Sequence, residues 1–261
     1  MKYEELLGHL RGEAEQSLGR HILDLARQSW NTNRPQITDF YDPYERQVAQ
    51  SVLGSVPEVA LLYQGGYKKA ERARFVLYPQ FYLTETIPSS IRVLEAKGNF
   101  TFQTVKHGDY LGSILGLGLK RGKIGDILVL DHGCQAIVAA EAADYILSQW
   151  TQVHKVPISV REIDEQQLAV EPERIKEIRA TVASLRLDAV AAEGYGTSRS
   201  KIVREIKGER LKLNWKPVIN PSLSISQGDV LSMRGRGRVV VSEVGGTTRK
   251  GRINIVLHRY F

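Results

Sequence analysis

Residues 194–216 read GYGTSRSKIVREIKGERLKLNWK. Ser198 is placed to cap a helix, because its side-chain oxygen can accept an orphan backbone N–H of the first turn. The helix it starts runs from Arg199 to Lys207, with Ile202, Val203 and Ile206 turned inward and Gly208 as the stop. Arg199, Lys201, Arg204 and Lys207 take the other positions. Two readings fit such a face: a solvated surface, or a set of cations that neutralises phosphates.

The elements around it are short. Leu187, Val190 and Ala191 recur at helical spacing before it, with Gly194 as the expected end. Strands are expected after it at Leu211 to Leu213, Val230 to Met233, Val239 to Val241 and Ile253 to Leu257. Gly228-Asp229 and Gly245-Gly246 read as turns. Arg234, Arg236 and Arg238 alternate with Gly235 and Gly237. This is either a flexible basic loop whose backbone approaches a phosphate chain, or a hairpin or bulge with surface arginines.

Charge distribution favours a polyanion. Residues 181–261 hold 15 Lys and Arg against 6 Asp and Glu, net +9, whereas residues 1–180 hold 21 against 23, net −2. The whole positive excess lies in the last third, as in proteins with a dedicated nucleic-acid-binding region. The 261 residues suffice for one to three domains. No apolar run reaches the length of a membrane span. No signal peptide is expected from the mixed charges of the first thirty residues. The single Cys134 cannot form an internal disulfide, which fits a cytoplasmic setting, and its apolar neighbours suggest a buried thiol. Six histidines without ligand spacing and one cysteine give no expectation of a metal or cofactor.

Upstream, Tyr3 to Gln28 is rich in helix formers, and a break is expected at Asn31 to Pro35. A second helix capped by Thr38 or Asp39 should run to Val52. Strands are expected at Val59 to Tyr63 and Arg74 to Tyr78. A middle region, 89–170, offers strand material at Ile91 to Glu95 and Phe100 to Val105. A helix from Asp109 to Leu117 follows, then strands at Ile127 to Leu130 and Gln135 to Val138 joined by Asp131-His132-Gly133. A helix over Ala140 to Trp150 and a strand over Pro157 to Ile163 complete it. This is the β-α-β-β-α-β order of ferredoxin-like and RRM-like folds. The polar stretch from Glu162 to Lys176 reads as a linker or connecting helix. The expected class is α+β in three parts: an N-terminal αβ region (1–88), a ferredoxin-like middle domain (89–170) and a C-terminal domain (181–261).

Several strings in the last third resemble the S4 RNA-binding domain, in order: Leu185-Arg186-Leu187-Asp188, Gly194 to Lys201, Lys212-Leu213-Asn214-Trp215-Lys216 and Gly228-Asp229-Val230. The resemblance implies two helices and a small sheet presenting Arg199, Lys201, Arg204, Lys212 and Lys216 to structured RNA. Arg186, Ser198, Ser200, Lys207, Trp215 and Arg234, Arg236 and Arg238 complete the candidate contacts. Trp215 departs from the pattern, since many such domains have Gly there. It either stacks on a base or packs the hairpin.

Two upstream strings point to a family. Gly65-Gly66-Tyr67 with Ala70-Glu71-Arg72 and Arg74, and Asp109 to Arg121 with Lys123-Ile124-Gly125-Asp126-Ile127, resemble the YlmH family of bacterial RNA-binding proteins. The resemblance is near the cyanobacterial and plastid branch called photosystem II S4 domain protein. It implies association with the ribosome, on the large subunit with tRNA, and rRNA, tRNA or both as partners. Nothing in the residues points to pigment or membrane. In physical terms, Gly116, Gly118, Gly122 and Gly125 around Lys120, Arg121 and Lys123 form either a phosphate-holding loop or a tight helix-to-strand turn. The string is not a P-loop, because Ile124 stands where Ser or Thr is required. Phe100 and Phe102 either stack bases or belong to the core.

Two other functions compete. Pseudouridine synthases join an S4 domain to an Arg-Leu-Asp string whose Asp is the nucleophile, and Arg186-Leu187-Asp188 matches it. There the string lies in a separate catalytic domain after the S4 domain. Here it opens the S4-like stretch, so Asp188 is expected to be a helix-start residue favoured by the helix dipole. The other competitor is an assembly adaptor acting through protein contacts. The leading expectation is a non-enzymatic RNA-binding protein.

Overall fold

Acidic side chains in a first turn complement the helix dipole, and Glu13 and Glu15 open helix α1, Glu13–Thr32. The computed structural model describes residues 6–10, 12–101, 103–170, 175–233 and 235–260. The expected start at Tyr3 lies outside these. Ile22, Leu23, Ala26 and Ser29 form the buried stripe of α1. The helix outlasts the expected break at Asn31 and ends where Asn33 turns left-handed, at φ 52°, its N–H meeting the Ser29 and Trp30 carbonyls. Helix α2, Pro43–Leu53, is capped by Asp42, not by Thr38 or Asp39: Asp42 accepts the Glu45 N–H, and Glu45 accepts the Asp42 N–H. Thr38 instead receives the Phe75 N–H on its hydroxyl.

Strands β1 (Gln36–Ile37), β2 (Val59–Gln64) and β3 (Arg74–Pro79) form an antiparallel sheet with the fully buried β3 in the centre. Then come β4 (Ile91–Gly98), α3 (His107–Leu115), β5 (Ile124–Leu130), β6 (Gly133–Ala139), α4 (Ala140–Gln149), β7 (Gln152–Val153) and β8 (Val156–Ile163). Their sheet has the order β5-β6-β4-β8-β7, and every pair is antiparallel. This is the split βαβ arrangement expected from the element order. Two details differ. Residues 100, 101 and 103–105 form no strand: the Phe100 ring meets Tyr110 edge-on at 5.8 Å, beside the core. Phe102 lies outside the described residues. Asp109 is the third residue of α3, not its cap, and accepts the Lys106 N–H at 2.8 Å.

The chain divides into two units, Met1–Val170 and Glu171–Phe261. Residues 1–88 and 89–170, the expected first and middle regions, both lie in the first unit, and Arg74 joins them. It is 2% exposed. Its Nε donates to the Thr38 carbonyl and its Nη1 to the Ser90 carbonyl, both at 2.7 Å, and its guanidinium holds Glu141 through two bonds of 2.7 and 2.8 Å. Phe40 packs into the core of the split βαβ, so close to Gly125 that a Cβ there would lie 2.6 Å from its ring.

In the second unit, β9 (Ile175–Val182) pairs along its length with β14 (Ile253–Tyr260). The stretch expected as a linker thus ends in an edge strand, and the boundary expected near Thr181 falls inside β9. The antiparallel order is β11-β10-β12-β13-β14-β9, with β10 Leu211–Leu213, β11 Lys216–Pro217, β12 Val230–Met233 and β13 Gly237–Thr247. Gly245 and Gly246 are not a turn but lie in β13 at a register shift; the chain reverses later, over Thr248 to Arg252. Helices α5 (Leu187–Tyr195) and α6 (Arg199–Lys207) bury Leu187, Val190, Ile202 and Ile206 with the sheet residues Leu231, Val239 and Leu257. Gly194 does not end α5. It sits inside the helix, where a Cβ would lie 2.7 Å from Val239, and Gly196 with its left-handed φ of 59° is the cap.

Replacing Arg74 with methionine would strand buried carbonyls and leave Glu141 without its partner. We expect Arg74→Met to lower the stability of the first unit by about 3–5 kcal/mol, the range for breaking a buried ion pair. Urea unfolding measures this; a drop below about 1 kcal/mol would mean that other donors satisfy those carbonyls.

Candidate nucleic-acid interface

Helix α6 carries the basic face that the spacing anticipates. Ser198 caps it, its Oγ accepting the Lys201 N–H at 3.4 Å. Ile202 and Ile206 are fully buried, and Arg199, Ser200, Lys201, Arg204 and Lys207 are all exposed. Among the described residues, Lys201, Arg204 and Lys207 have no carboxylate partner, so their charge faces solvent.

Asp188 organises the start of this surface. Its side chain is 4% exposed and lies between two arginines: Arg186 Nε at 3.2 Å and Arg199 Nη2 at 2.9 Å. Burial pushes its carboxyl up, but the hydrogen bonds from Arg186 and Arg199 outweigh that and hold it below the usual carboxylate range. The acid joins the N-terminal turns of α5 and α6 and sets two guanidinium groups side by side. A cleft of about 540 Å³ next to them is lined by Ala189, Glu193, Thr197, Ser198, Arg199 and Arg252, among others.

The arginine-glycine stretch is a tight hairpin turn between β12 and β13. The Arg236 N–H bonds the Met233 carbonyl at 3.0 Å, Gly235 and Gly237 have φ of 75° and 78°, and a Cβ on Gly237 would lie 2.4 Å from the Tyr260 carbonyl oxygen. The Arg238 guanidinium lies 4.7 Å above the Tyr260 ring. Arg234 lies outside the described residues. Lys212 is partly exposed on β10 and Lys216 is exposed on β11. Trp215 stands at the tip between these strands, with φ 63° beside Asn214 at 49°.

In the first unit the glycine-rich stretch is a helix-to-strand turn. Gly116 caps α3, Gly118 has φ 87°, and a Cβ on Gly122 would lie 2.5 Å from Asp39 Oδ2. Lys123 holds Asp39 at 2.7 Å and Glu141 at 2.8 Å. Burial raises the Glu141 carboxyl, but the bonds from Arg74 and Lys123 prevail and bring it down to about 2. Arg121 donates to the Ile124 carbonyl, and burial followed by the charge of Arg72 lowers its pKa to about 10. Only Lys120 of the three cations is exposed. Asp126, which the sequence pattern does not single out, accepts from Tyr67 Oη (2.7 Å) and from the backbone N–H of Glu71 (2.7 Å) and Arg72 (3.0 Å). The two upstream strings are thus halves of one polar junction. A carboxylate inside the apolar run Ile124–Leu130 was the available signal.

The sheet face of the split βαβ away from its helices is covered. Gln135, 3% exposed, donates to the Gln167 carbonyl (3.1 Å) and accepts the Ala169 N–H (2.7 Å). Leu168 and Gly66 close over Ile137. Glu95 on the same face is held by Arg161 and Lys97. Its central strands offer Val93, Glu95 and Lys97 on β4, and Gln135 and Ile137 on β6, without an aromatic ring for stacking. Cys134 is fully buried, and burial raises its thiol. No group of three potential metal-ligating side chains occurs among the described residues, and no described helix is long and apolar enough to cross a membrane.

The architecture is that of a two-unit α+β chain with a split βαβ and a separate basic unit. Family models match residues 15–82, "YlmH, N-terminal", and 89–167, "Putative RNA-binding domain in YlmH". The "Ribosome-associated protein quality control protein P2" of Bacillus subtilis is 36% identical over 226 residues, 87% of this chain and 88% of that protein. The chain belongs to the YlmH family. The structure of "Cell division protein ylmH from Streptococcus pneumoniae" shares the fold, with a TM-score of 0.54 and 18% identity over 62% of this chain and 97% of that one.

Asp188→Asn removes the charge that both arginines hold. Because the folded carboxyl is depressed, its stabilisation is present above the unfolded value near 3.8 and is lost as pH falls through the lower folded value. We expect Asp188→Asn to destabilise the protein by about 1–3 kcal/mol at pH 7 and to lose less stability than the wild type on acidification below pH 4. Parallel unfolding profiles at pH 7 and pH 3 check both.

Proposed function

We propose that this protein binds structured RNA on the ribosome through the basic surface of its C-terminal unit, which we read as an S4-type domain, and that it does so without catalysis. The carrying observation is helix α6, which buries Ile202 and Ile206 while holding Arg199, Lys201, Arg204 and Lys207 out to solvent. Such a face neutralises phosphates, which the duplexes and loops of folded RNA present. The Bacillus subtilis relative is named for ribosome-associated quality control, which supports association with the ribosome; the finer reading is the large subunit with rRNA, tRNA or both, in the cytoplasm. A non-catalytic role is supported by Asp188: a carboxylate that is 4% exposed and held by two guanidinium groups is badly placed to attack a base. The first unit joins as a second contact through Lys120 at its tight turn.

Filter binding of the full chain to a tRNA or an rRNA fragment over a salt series tests this. Affinity should fall steeply with salt. Arg199→Glu with Arg204→Glu should weaken binding to all structured RNAs and lower the salt slope by about 1 for each phosphate that is no longer neutralised. Salt-independent affinity, or undiminished binding by the double variant, would remove this surface from the interface. Base modification abolished by Asp188→Ala would establish the enzymatic reading instead.

A further inference from the structure

Left-handed backbone is unusual for any residue but Gly, Asn or Asp, and for a bulky side chain it is a true outlier. Trp215 adopts it, at φ 63°, as the second central residue of the β10–β11 hairpin. The position is one that glycine fills without strain. An indole held there at a cost needs a compensating role. Leu213 and Val218 on either side pack against the core of its own unit, while Trp215 stands at the tip with part of its surface open to solvent. Among the described residues its ring makes no hydrogen bond or ring contact.

The turn is held rigidly. The Asn214 N–H donates to the Val230 carbonyl at 2.7 Å, the Val230 N–H returns to Asn214 Oδ1 at 2.8 Å, and Asn214 Nδ2 bonds Asp229 at 2.9 Å. Asp229 is itself fixed by the Ser226 N–H at 2.7 Å. The indole is therefore presented on a preorganised tip, partly exposed, with Lys212 and Lys216 on the flanking strands. An aromatic plane with cations beside it matches an unpaired nucleobase and its adjoining phosphates. A base pair inside a continuous duplex offers no free face to such a ring.

We propose that Trp215 stacks on an unpaired base, so that the C-terminal unit distinguishes loops and bulges from continuous duplex. This rests on the reading of that unit as an RNA-binding surface. The hairpin tip supplies selectivity for unpaired positions, and helix α6 supplies attraction that is indifferent to them.

The test uses the full chain and two RNAs: a stem-loop with 2-aminopurine in the loop, and a blunt duplex of the same stem. Trp215→Gly suits the backbone, so the variant should fold with unchanged or higher thermal stability. It should bind the stem-loop roughly 5- to 150-fold more weakly, the usual value of one base–aromatic stack. Duplex affinity and the salt slope should not change. Quenching of 2-aminopurine on binding should vanish in Trp215→Gly and persist in part in Trp215→Phe. Equal weakening on both RNAs, or none on either, would overturn the stacking role. Failure of the wild type to bind either RNA would instead overturn the reading of the whole surface, and the stacking role with it.

Discussion

A buried carboxylate between two guanidinium groups is the constraint on which the basic surface depends. Like charges side by side repel, and an unpaired buried acid is costly to keep ionised. Asp188 resolves both problems at once. It is nearly inaccessible, yet Arg186 and Arg199 surround it and remain substantially exposed. Because Asp188 belongs to α5 and Arg199 to α6, the same contact fixes how the two helices meet. The first unit uses the complementary device. Arg74 is a buried cation satisfied by two carbonyls and Glu141, and those partners come from separate segments of the chain. In each unit a charge taken out of water locks an arrangement that apolar packing alone would leave looser in register.

The cations of this protein therefore fall into two sets. Arg74, Arg121 and Lys123 have partners within the fold, and Arg186 and Arg199 are shared between fold and surface. Lys201, Arg204 and Lys207 project from α6 into solvent. This division explains why a glycine-rich basic string resembles a phosphate loop in sequence and is a turn in space. The glycines there permit close approach to Asp39 and Phe40, so the space a phosphate would need is occupied by the protein. The covered sheet of the split βαβ repeats the point. Its strand order is shared with many RNA-binding modules, but Gln135 and the segment beyond Glu165 cover the face on which such modules stack bases.

Much of this was legible in local chemistry. Ser198 followed by Ile202 and Ile206 specifies a capped helix with one apolar face. The apolar runs Val59–Tyr63 and Gln135–Val138 specify strands, and the order of elements specifies the split βαβ. These signals depend on neighbours within a few residues, where hydrogen-bond geometry and side-chain period act directly. Some of the errors share a cause. Gly194, Gly245 and Gly246 read as stops because glycine favours turns, whereas here one allows helix α5 to approach Val239 and the others lie where β13 shifts register. Phe100 read as strand material because aromatics favour strands, whereas its ring packs beside Tyr110. In each case a partner distant in sequence decided the outcome.

By itself, then, the sequence determined the α+β class, the family strings, the helix α6 and the concentration of positive charge in the last third. The tertiary structure alone decided which of those charges are spent. Whether a lysine or arginine is available to a phosphate depends on whether a carboxylate or carbonyl from elsewhere has already reached it. Asp39 and Glu141 reach Lys123 across more than eighty and nearly twenty residues, and Asp188 reaches Arg199 from the preceding helix. Net charge is a sum over residues, whereas binding charge is what remains after the fold has paired its own.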